Sequence, residues 1–270
     1  MHYSTLPLHL QPYLIYLVNM KIDAFLETLF EAGAHVGHSK SRRHPQMERF
    51  VFGVRNNIEI FDLQQTAFLL EAAEQFLVSL GQEGRVVLWV GTKPAARGHI
   101  ERVAQDLGAS YVSGRWLGGL LTNFKEIAKR LEYWKRLESE AESGELEKYV
   151  KKEKLMKIGE LRKMTRIFSG LRALKSVPDA IVIVDPRNEK TALREAKKKN
   201  IPIVALLNSD CDPDGIRYPI PMNDGSTAAI KIILERLGTA YRNGQNERAA
   251  RLVLDSAEQA TAAAETPSTA

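Results

Sequence analysis

The sequence predicts an α/β fold with a mostly parallel central sheet flanked by helices, into which an antiparallel coiled-coil helical hairpin is inserted. Three observations carry that prediction. Uninterrupted apolar runs of strand length, Arg85-Val-Val-Leu-Trp-Val90, Ala180-Ile-Val-Ile-Val184 and Ile201 to Leu207, suit strands covered on both faces. Helical periodicity alternates with them, which calls for crossover connections, right-handed by rule. From Leu120 to Ser176 the strand signal vanishes, and two seams of matching spacing replace it: Phe124, Ile127, Leu131, Trp134 and Met164, Ile167, Leu171, Leu174.

Each element follows from local chemistry. Asp23 can cap a first helix whose Phe25, Leu26, Leu29 and Phe30 sit at helical spacing, with Gly33 as the stop. Phe50 to Val54 and Ile58 to Leu63 read as short strands around Asn56-Asn57, residues that tolerate positive φ. A long helix from about Gln64 to Leu80 ends at Gly81. Gly91-Thr92-Lys93-Pro94 follows a buried strand and opens a helix, Pro94 suiting its first turn. In the hairpin, Ser143-Gly144 marks a turn within the charged stretch Glu138 to Lys154. Then come strand Ala180 to Val184, helix Glu189 to Lys199, strand Ile201 to Leu207, and a closing helix from Ser226 to Leu237, stopped by Gly238.

These elements divide the chain. Residues 1–19 read as an extra, flexible N-terminal segment, 20–119 and 177–243 as the α/β domain, and 120–176 as the coiled-coil insert. Residues 244–270, rich in Ala, Ser and Thr, read as a largely disordered tail, transiently helical around Arg248 to Leu254.

Composition narrows the function classes. The 270 residues are 44% hydrophobic and 26% charged, the balance of a globular chain long enough for a full core. A net charge of +5 and a pI near 9.2 favour polyanionic partners. Between Arg115 and Lys175 there are 16 Lys and Arg against nine Glu and no Asp, so the insert holds more than the whole surplus. A solvated helical face would look the same at the outer tip. The single cysteine, Cys211, excludes an intramolecular disulfide and fits a reducing cytoplasm. Tyr13-Leu-Ile-Tyr-Leu-Val18 is apolar but too short to span a membrane, and no Lys or Arg precedes it as in a secretory signal.

Tyr111 to Phe124 carries the most chemistry. Arg115 offers a planar fork for phosphate, Trp116 a stacking face, and Asn123 both donor and acceptor. A Trp buried beside a helix entry fits the same residues. Lys93 at a helix N-terminus would suit an anion, as would an ordinary βα turn, and neither a P-loop nor a dinucleotide fingerprint is present. Asp210-x-Asp212-x-Asp214-Gly215 mimics the opening of a calcium loop, yet its twelfth position is Pro221. It reads as an acidic turn-forming loop, with a partly hydrated magnesium as the alternative. His35, His38 and His44 have no Cys or acid among them. Arg42 and Arg43, with His38 and Lys40, read as a loop facing phosphates, with plain solvent exposure as the alternative.

No GxSxG elbow or HExxH helix is present, and Cys211 sits among acids that weaken a thiolate. An enzyme is not expected, nor a resident cofactor. The candidate polyanion contacts are Arg42, Arg43, Arg55, Asn56, Lys93, Arg115, Trp116, Asn123 and Lys125. The competing reading is an enzyme holding a phosphorylated metabolite at the strand ends, between Gly91-Thr92-Lys93 and Asp185-Pro186-Arg187.

Arg115 to Phe124 resembles the signature of the family of the second protein of the small ribosomal subunit, in its bacterial form. The resemblance continues in order through Glu31 to His38, Phe52-Gly-Val-Arg-Asn56-Asn57, Ile60 to Gln64 and Val90-Gly91-Thr92-Lys93. It resumes at Val184-Asp185-Pro186-Arg187, Asn208 to Asp214 and Tyr218 to Asp224. It covers roughly residues 20 to 237, and an ordered series is far more specific than one pattern. It implies a flavodoxin-like α/β domain with a projecting hairpin, bound to small-subunit ribosomal RNA near the head and body. It also implies neighbouring ribosomal proteins, including the large mRNA-binding first protein, and a structural role in translation without a small-molecule substrate. Residues 1–19 fall outside the resemblance, as an upstream start codon or a tail of local origin would produce.

Overall fold

A computed structural model describes residues 24–264. The N-terminal segment, the Asp23 cap and the end of the tail lie outside the described residues. Helix α1, at residues 24–31, turns Leu29 inward and gives way to Gly33 at φ 73°. Strands β1 (Val36–Ser39), β2 (Val51–Arg55) and β3 (Ile58–Phe61) then form an antiparallel sheet in the order β1-β3-β2. Asn56 and Asn57, at φ 50° and 62°, make its two-residue hairpin turn as expected. β1 was not foreseen: Val-Gly-His-Ser lacks the alternation that announces a strand.

Helix α2 (Leu63–Glu83) starts where the Asp62 carboxylate accepts the Gln64 and Gln65 amides, at 2.9 and 3.4 Å. It ends at Gly84 (φ 69°), one turn past the expected stop. Gly81 stays helical because its missing side chain is needed elsewhere. A methyl there would lie 2.5 Å from the Tyr241 carbonyl on the last helix.

The main sheet joins β4 (Val87–Val90), β5 (Ser110–Val112), β6 (Ala180–Val184), β7 (Ile203–Leu207) and β8 (Tyr218–Pro221), all parallel, in the order β5-β4-β6-β7-β8. Counted within the sheet this is 2-1-3-4-5, the order of flavodoxin-like sheets. The two edge strands escaped the sequence reading. β5 has three residues, and β8 is Tyr-Pro-Ile-Pro, whose two prolines cannot donate to a ladder and are confined to an edge.

The strands alternate between two cores. Val87, Trp89, Val182, Val184, Val204 and Leu206 face α2, α3 (Pro94–Asp106) and α7 (Thr227–Ala264). Leu88, Val90, Ile181, Ile183, Ile203 and Leu207 face α6 (Lys190–Lys198), the base of the hairpin, and Met47 and Phe50. No helix among the described residues is long and apolar enough to cross a membrane.

α7 departs from expectation. It runs through Gly238 and Gly244, so the boundary drawn at 244 falls inside a helix. Both glycines are contact points: a methyl at Gly238 would meet Val103 Cγ1 at 2.7 Å, and one at Gly244 would overlap the Val78 carbonyl. They let α7 lie close on α3 and α2, and tertiary packing overrides their stop signal.

The insert is a pair of helices, α4 (Phe124–Glu142) and α5 (Lys151–Phe168). Glu140 meets Lys157, Tyr133 meets Glu160 and Trp134 meets Thr165, so the two run antiparallel. On α4, Ile127, Leu131, Trp134 and Leu137 are buried. The expected second seam needs correction: Ile167 is 40% exposed, and Phe168 takes its place, stacked on Trp134 with 6.3 Å between rings. Leu171 and Leu174 are buried but lie past the end of α5.

Candidate nucleic-acid interface

The loop from Val112 into α4 is folded around one carboxylate. Glu195, on α6 and almost wholly buried, accepts five bonds: Trp116 Nε1 (3.0 Å), Gly119 N (2.8 Å), Leu121 N (3.0 Å), Thr122 N (3.1 Å) and Thr122 Oγ1 (3.1 Å). Gly119 at φ 88° bends the backbone so that these amides converge. Burial would raise the Glu195 pKa, but the Trp116, Gly119, Thr122 and Leu121 donors outweigh it and hold the group below its ordinary value. The loop is therefore shaped by the protein's own anion before any ligand arrives.

That geometry sorts the expected contacts. Trp116 is half-buried with its indole N–H turned inward, so it supports the loop rather than offering a free stacking face. Arg115, Asn123 and Lys125 are exposed around it, and among the described residues neither cation makes an ion pair. Asn123 is the N-cap residue of α4 and makes no side-chain capping bond, which leaves its amide outward.

The basic loop after β1 splits. Arg42 is exposed and bonds Asp210 Oδ2 at 3.1 Å. Arg43 turns in, 3.2 Å from Glu48 and 3.3 Å from Glu59, a carboxylate with no exposed surface. Its charge answers a buried charge, so the expectation of a phosphate contact at Arg43 is not what its surroundings favour. Arg55 and Asn56 stand exposed at the β2–β3 turn. The three histidines go separate ways: His35 stacks on Phe30 at 4.2 Å, His38 Nε2 lies 3.6 Å from Asp210, and the His44 amide bonds the Ser209 carbonyl.

Lys93 precedes α3 at the switch point between β4 and β6, where open parallel sheets usually hold a ligand. Here the crevice is filled from within. Lys93 Nζ lies 3.1 Å from both Asp185 and Asp224, and Glu189 accepts from the Thr92 amide at 3.0 Å and from its hydroxyl. Burial would lower the Lys93 pKa, but the Asp224 and Asp185 charges outweigh it and raise it. Asp224 moves up because burial and Asp185 oppose its ionisation. Lys93 is thus held as a counter-ion between two carboxylates, which occupies the part of the crevice beside Gly91-Thr92-Lys93.

The acidic loop is likewise engaged. Asp210 gathers Arg42, Arg187 and His38, while Asp212 accepts the Asp214 amide at 2.9 Å, an ordinary turn bond. Burial, with Asp185 nearby, pushes the Cys211 thiol up to about 12, which makes it a poor nucleophile. Sequence reasoning missed Glu195, Glu59, Asp210 and Asp224 as organisers, and Arg187 and Lys190 as surface cations. Asp185-Pro186-Arg187, placed directly after a strand, pointed to Arg187, and the acidic run from Asp210 pointed to that loop without showing its role.

A family model described as ribosomal protein S2 matches residues 29–244. Among curated relatives, "Small ribosomal subunit protein uS2" of Dictyoglomus thermophilum is 43% identical over 223 residues, spanning 83% of this chain and 91% of that protein. The protein of the same name from Geotalea uraniireducens is 39% identical over 230 residues, spanning 85% and 90%. "Small ribosomal subunit protein uS2c" of Cyanophora paradoxa is 43% identical over 223 residues, spanning 83% and 96%.

Proposed function

The chain belongs to the ribosomal protein S2 family, and on that premise we propose that it holds small-subunit ribosomal RNA at the exposed base of its helical hairpin. It is a structural constituent of the small ribosomal subunit, ribosome-bound in the cytoplasm and at work in translation, and it is not an enzyme. The observation that carries the binding reading is the loop clasped by Glu195, which presents Arg115, Asn123 and Lys125 outward with two uncompensated charges. Arg42, Arg55 and Asn56 add contacts from the small sheet. Arg43, Lys93 and Trp116 act behind the surface, holding the loops that carry the others.

Binding of this kind neutralises phosphates and releases counterions, with shape rather than base edges setting the fit. The two-helix insert acts as a coiled-coil arm, and residues 20–119 with 177–243 as the docking domain. Neighbouring ribosomal proteins, including the large mRNA-binding first protein, complete its surroundings. The test is reconstitution of small subunits with variant protein, followed by sedimentation and a salt wash. Arg115→Glu should be lost at lower salt than wild type, while Lys152→Glu at the outer tip should not. Equal retention of wild type and Arg115→Glu would sink the reading.

A further inference from the structure

A second basic feature lies away from the hairpin. We propose that the cavity between the turn after β1 and the start of α6 is a phosphate-binding site that seats a backbone phosphate of RNA. It rests on the RNA-binding reading and adds a separate point of attachment. The cavity, about 390 Å³, is lined by Arg42 and Pro45 from the turn after β1, Arg187 and Lys190 from the turn after β6 and the start of α6, and Asp210 from the loop after β7. That is room for a phosphate with its sugar.

Asp210 organises it. Its side chain is only 4% exposed, bonds Arg42 at 3.1 Å, pairs with Arg187, and lies 3.6 Å from His38. One carboxylate carries one negative charge, so two guanidiniums held on it keep a net positive charge between them. Each guanidinium has five N–H donors and places one on Asp210 in these contacts. Both remain about half exposed, at 54% and 48%, with the other donors free to form a fork around a tetrahedral anion. Lys190 adds an exposed ammonium that makes no ion pair among the described residues. Of the other lining charges, Arg43 is paired with Glu48 and Glu59, and Asp212 is an exposed carboxylate that accepts the Asp214 amide.

The arms come from three separate segments, the turn after β1, the turn after β6 and the loop after β7. Bringing cations from distant segments onto one buried carboxylate fixes their spacing before an anion arrives, which lowers the ordering entropy of binding. Arg42 was expected from the sequence to touch RNA; Arg187 and Lys190 were not among the expected contacts.

A phosphate could come from RNA or from a free nucleotide, and the experiment separates the two. The full chain is titrated with small-subunit ribosomal RNA over a range of salt, as wild type, Lys190→Ala, Arg187→Ala and, as a control on the hairpin, Lys163→Ala. Inorganic phosphate and AMP are titrated calorimetrically in parallel. Lys190 makes no ion pair among the described residues, so its variant should keep the fold; circular dichroism checks Arg187→Ala. The expected result is roughly tenfold weaker RNA binding for Lys190→Ala and for Arg187→Ala. The log–log salt slope should fall by about 0.7–0.9 in each, with the control unchanged and no saturable heat from phosphate or AMP. RNA binding untouched by either substitution would overturn the site while leaving the hairpin reading intact. Saturable AMP binding lost in Arg187→Ala, with RNA affinity unchanged, would overturn the RNA source in favour of a free phosphate ligand. A wild-type chain that fails to bind the RNA would overturn both readings.

Discussion

Replacing Glu195 with alanine should unfold the signature loop from within. The carboxylate accepts the Trp116 indole, three backbone amides and the Thr122 hydroxyl, and α6 offers no substitute. The Leu121 bond is fully buried, so its amide should carry a full unsatisfied-donor penalty of about 2 kcal/mol. The other four donors are half-buried and partly recover water, at about 0.5 kcal/mol each. The sum is about 4 kcal/mol, or a fall in melting temperature of roughly 10 °C for a chain of this size. Glu195→Gln should fare little better, because one carbonyl replaces two oxygens and an NH2 then faces donors. Urea unfolding followed by Trp fluorescence reads both variants. The pH dependence has a definite sign. A carboxylate with a depressed folded pKa contributes stability above its unfolded pKa and loses it as pH falls through the folded one. The gap between wild type and Glu195→Ala should therefore hold at neutral pH and close only in acid below the usual Glu range. A loss under about 1 kcal/mol at pH 7 would refute the claim that this carboxylate shapes the loop.

Three further outcomes follow from the same contacts. Arg43→Ala should destabilise by about 3–5 kcal/mol, since Glu59 is wholly buried, makes no hydrogen bond, and would lose its 3.3 Å ion pair; Arg42→Ala should lose under about 1 kcal/mol, as Asp210 keeps Arg187, and denaturant midpoints compare the two. Gly244→Ala should cost about 1–3 kcal/mol despite a better helix propensity, because the methyl must push α7 off the Val78 carbonyl; a melting temperature that rises would contradict that packing. Cys211, pushed up to about 12, should react with iodoacetamide at pH 8 roughly 10³-fold slower in the folded than in the urea-unfolded chain, measured by mass spectrometry, and native labelling at the unfolded rate would contradict its burial.

How far the fold was legible depends on where each element sits. Val87–Val90, Ala180–Val184 and Ile203–Leu207 are central strands buried on both faces, so burial itself writes an apolar run into the sequence. Ser110–Val112 and Tyr218–Pro221 sit at the edges, where no such demand applies, and they left no run to read. Gly81, Gly238 and Gly244 look like helix stops in one dimension. Their role is to let α2, α3 and α7 touch, which depends on partners far along the chain. In the second seam, Ile167 and Phe168 are adjacent apolar residues, and which one enters the core depends on Trp134 across the hairpin.

The site was legible in its cations and opaque in its anions. Arg42, Arg43, Lys93 and Arg115 look alike in sequence, yet their tasks differ according to which carboxylates reach them. Glu59, Asp224 and Asp210 lie far away along the chain, so no window around a basic residue contains the information. Counting Lys and Arg therefore overstates the free positive charge near the sheet, where carboxylates converge, and describes it better at the hairpin base, where Arg115 and Lys125 make no ion pair among the described residues. One signal was open to reading. Glu195 shares the buried face of α6 with Ala192 and Ala196, at helical spacing. A carboxylate on the core side of an amphipathic helix is tolerable only if donors await it, and a loop of glycines and small polar residues is a natural supplier. The pairing of Glu195 with Gly119 to Thr122 could be sought on that ground, and it determines that Arg115 faces outward.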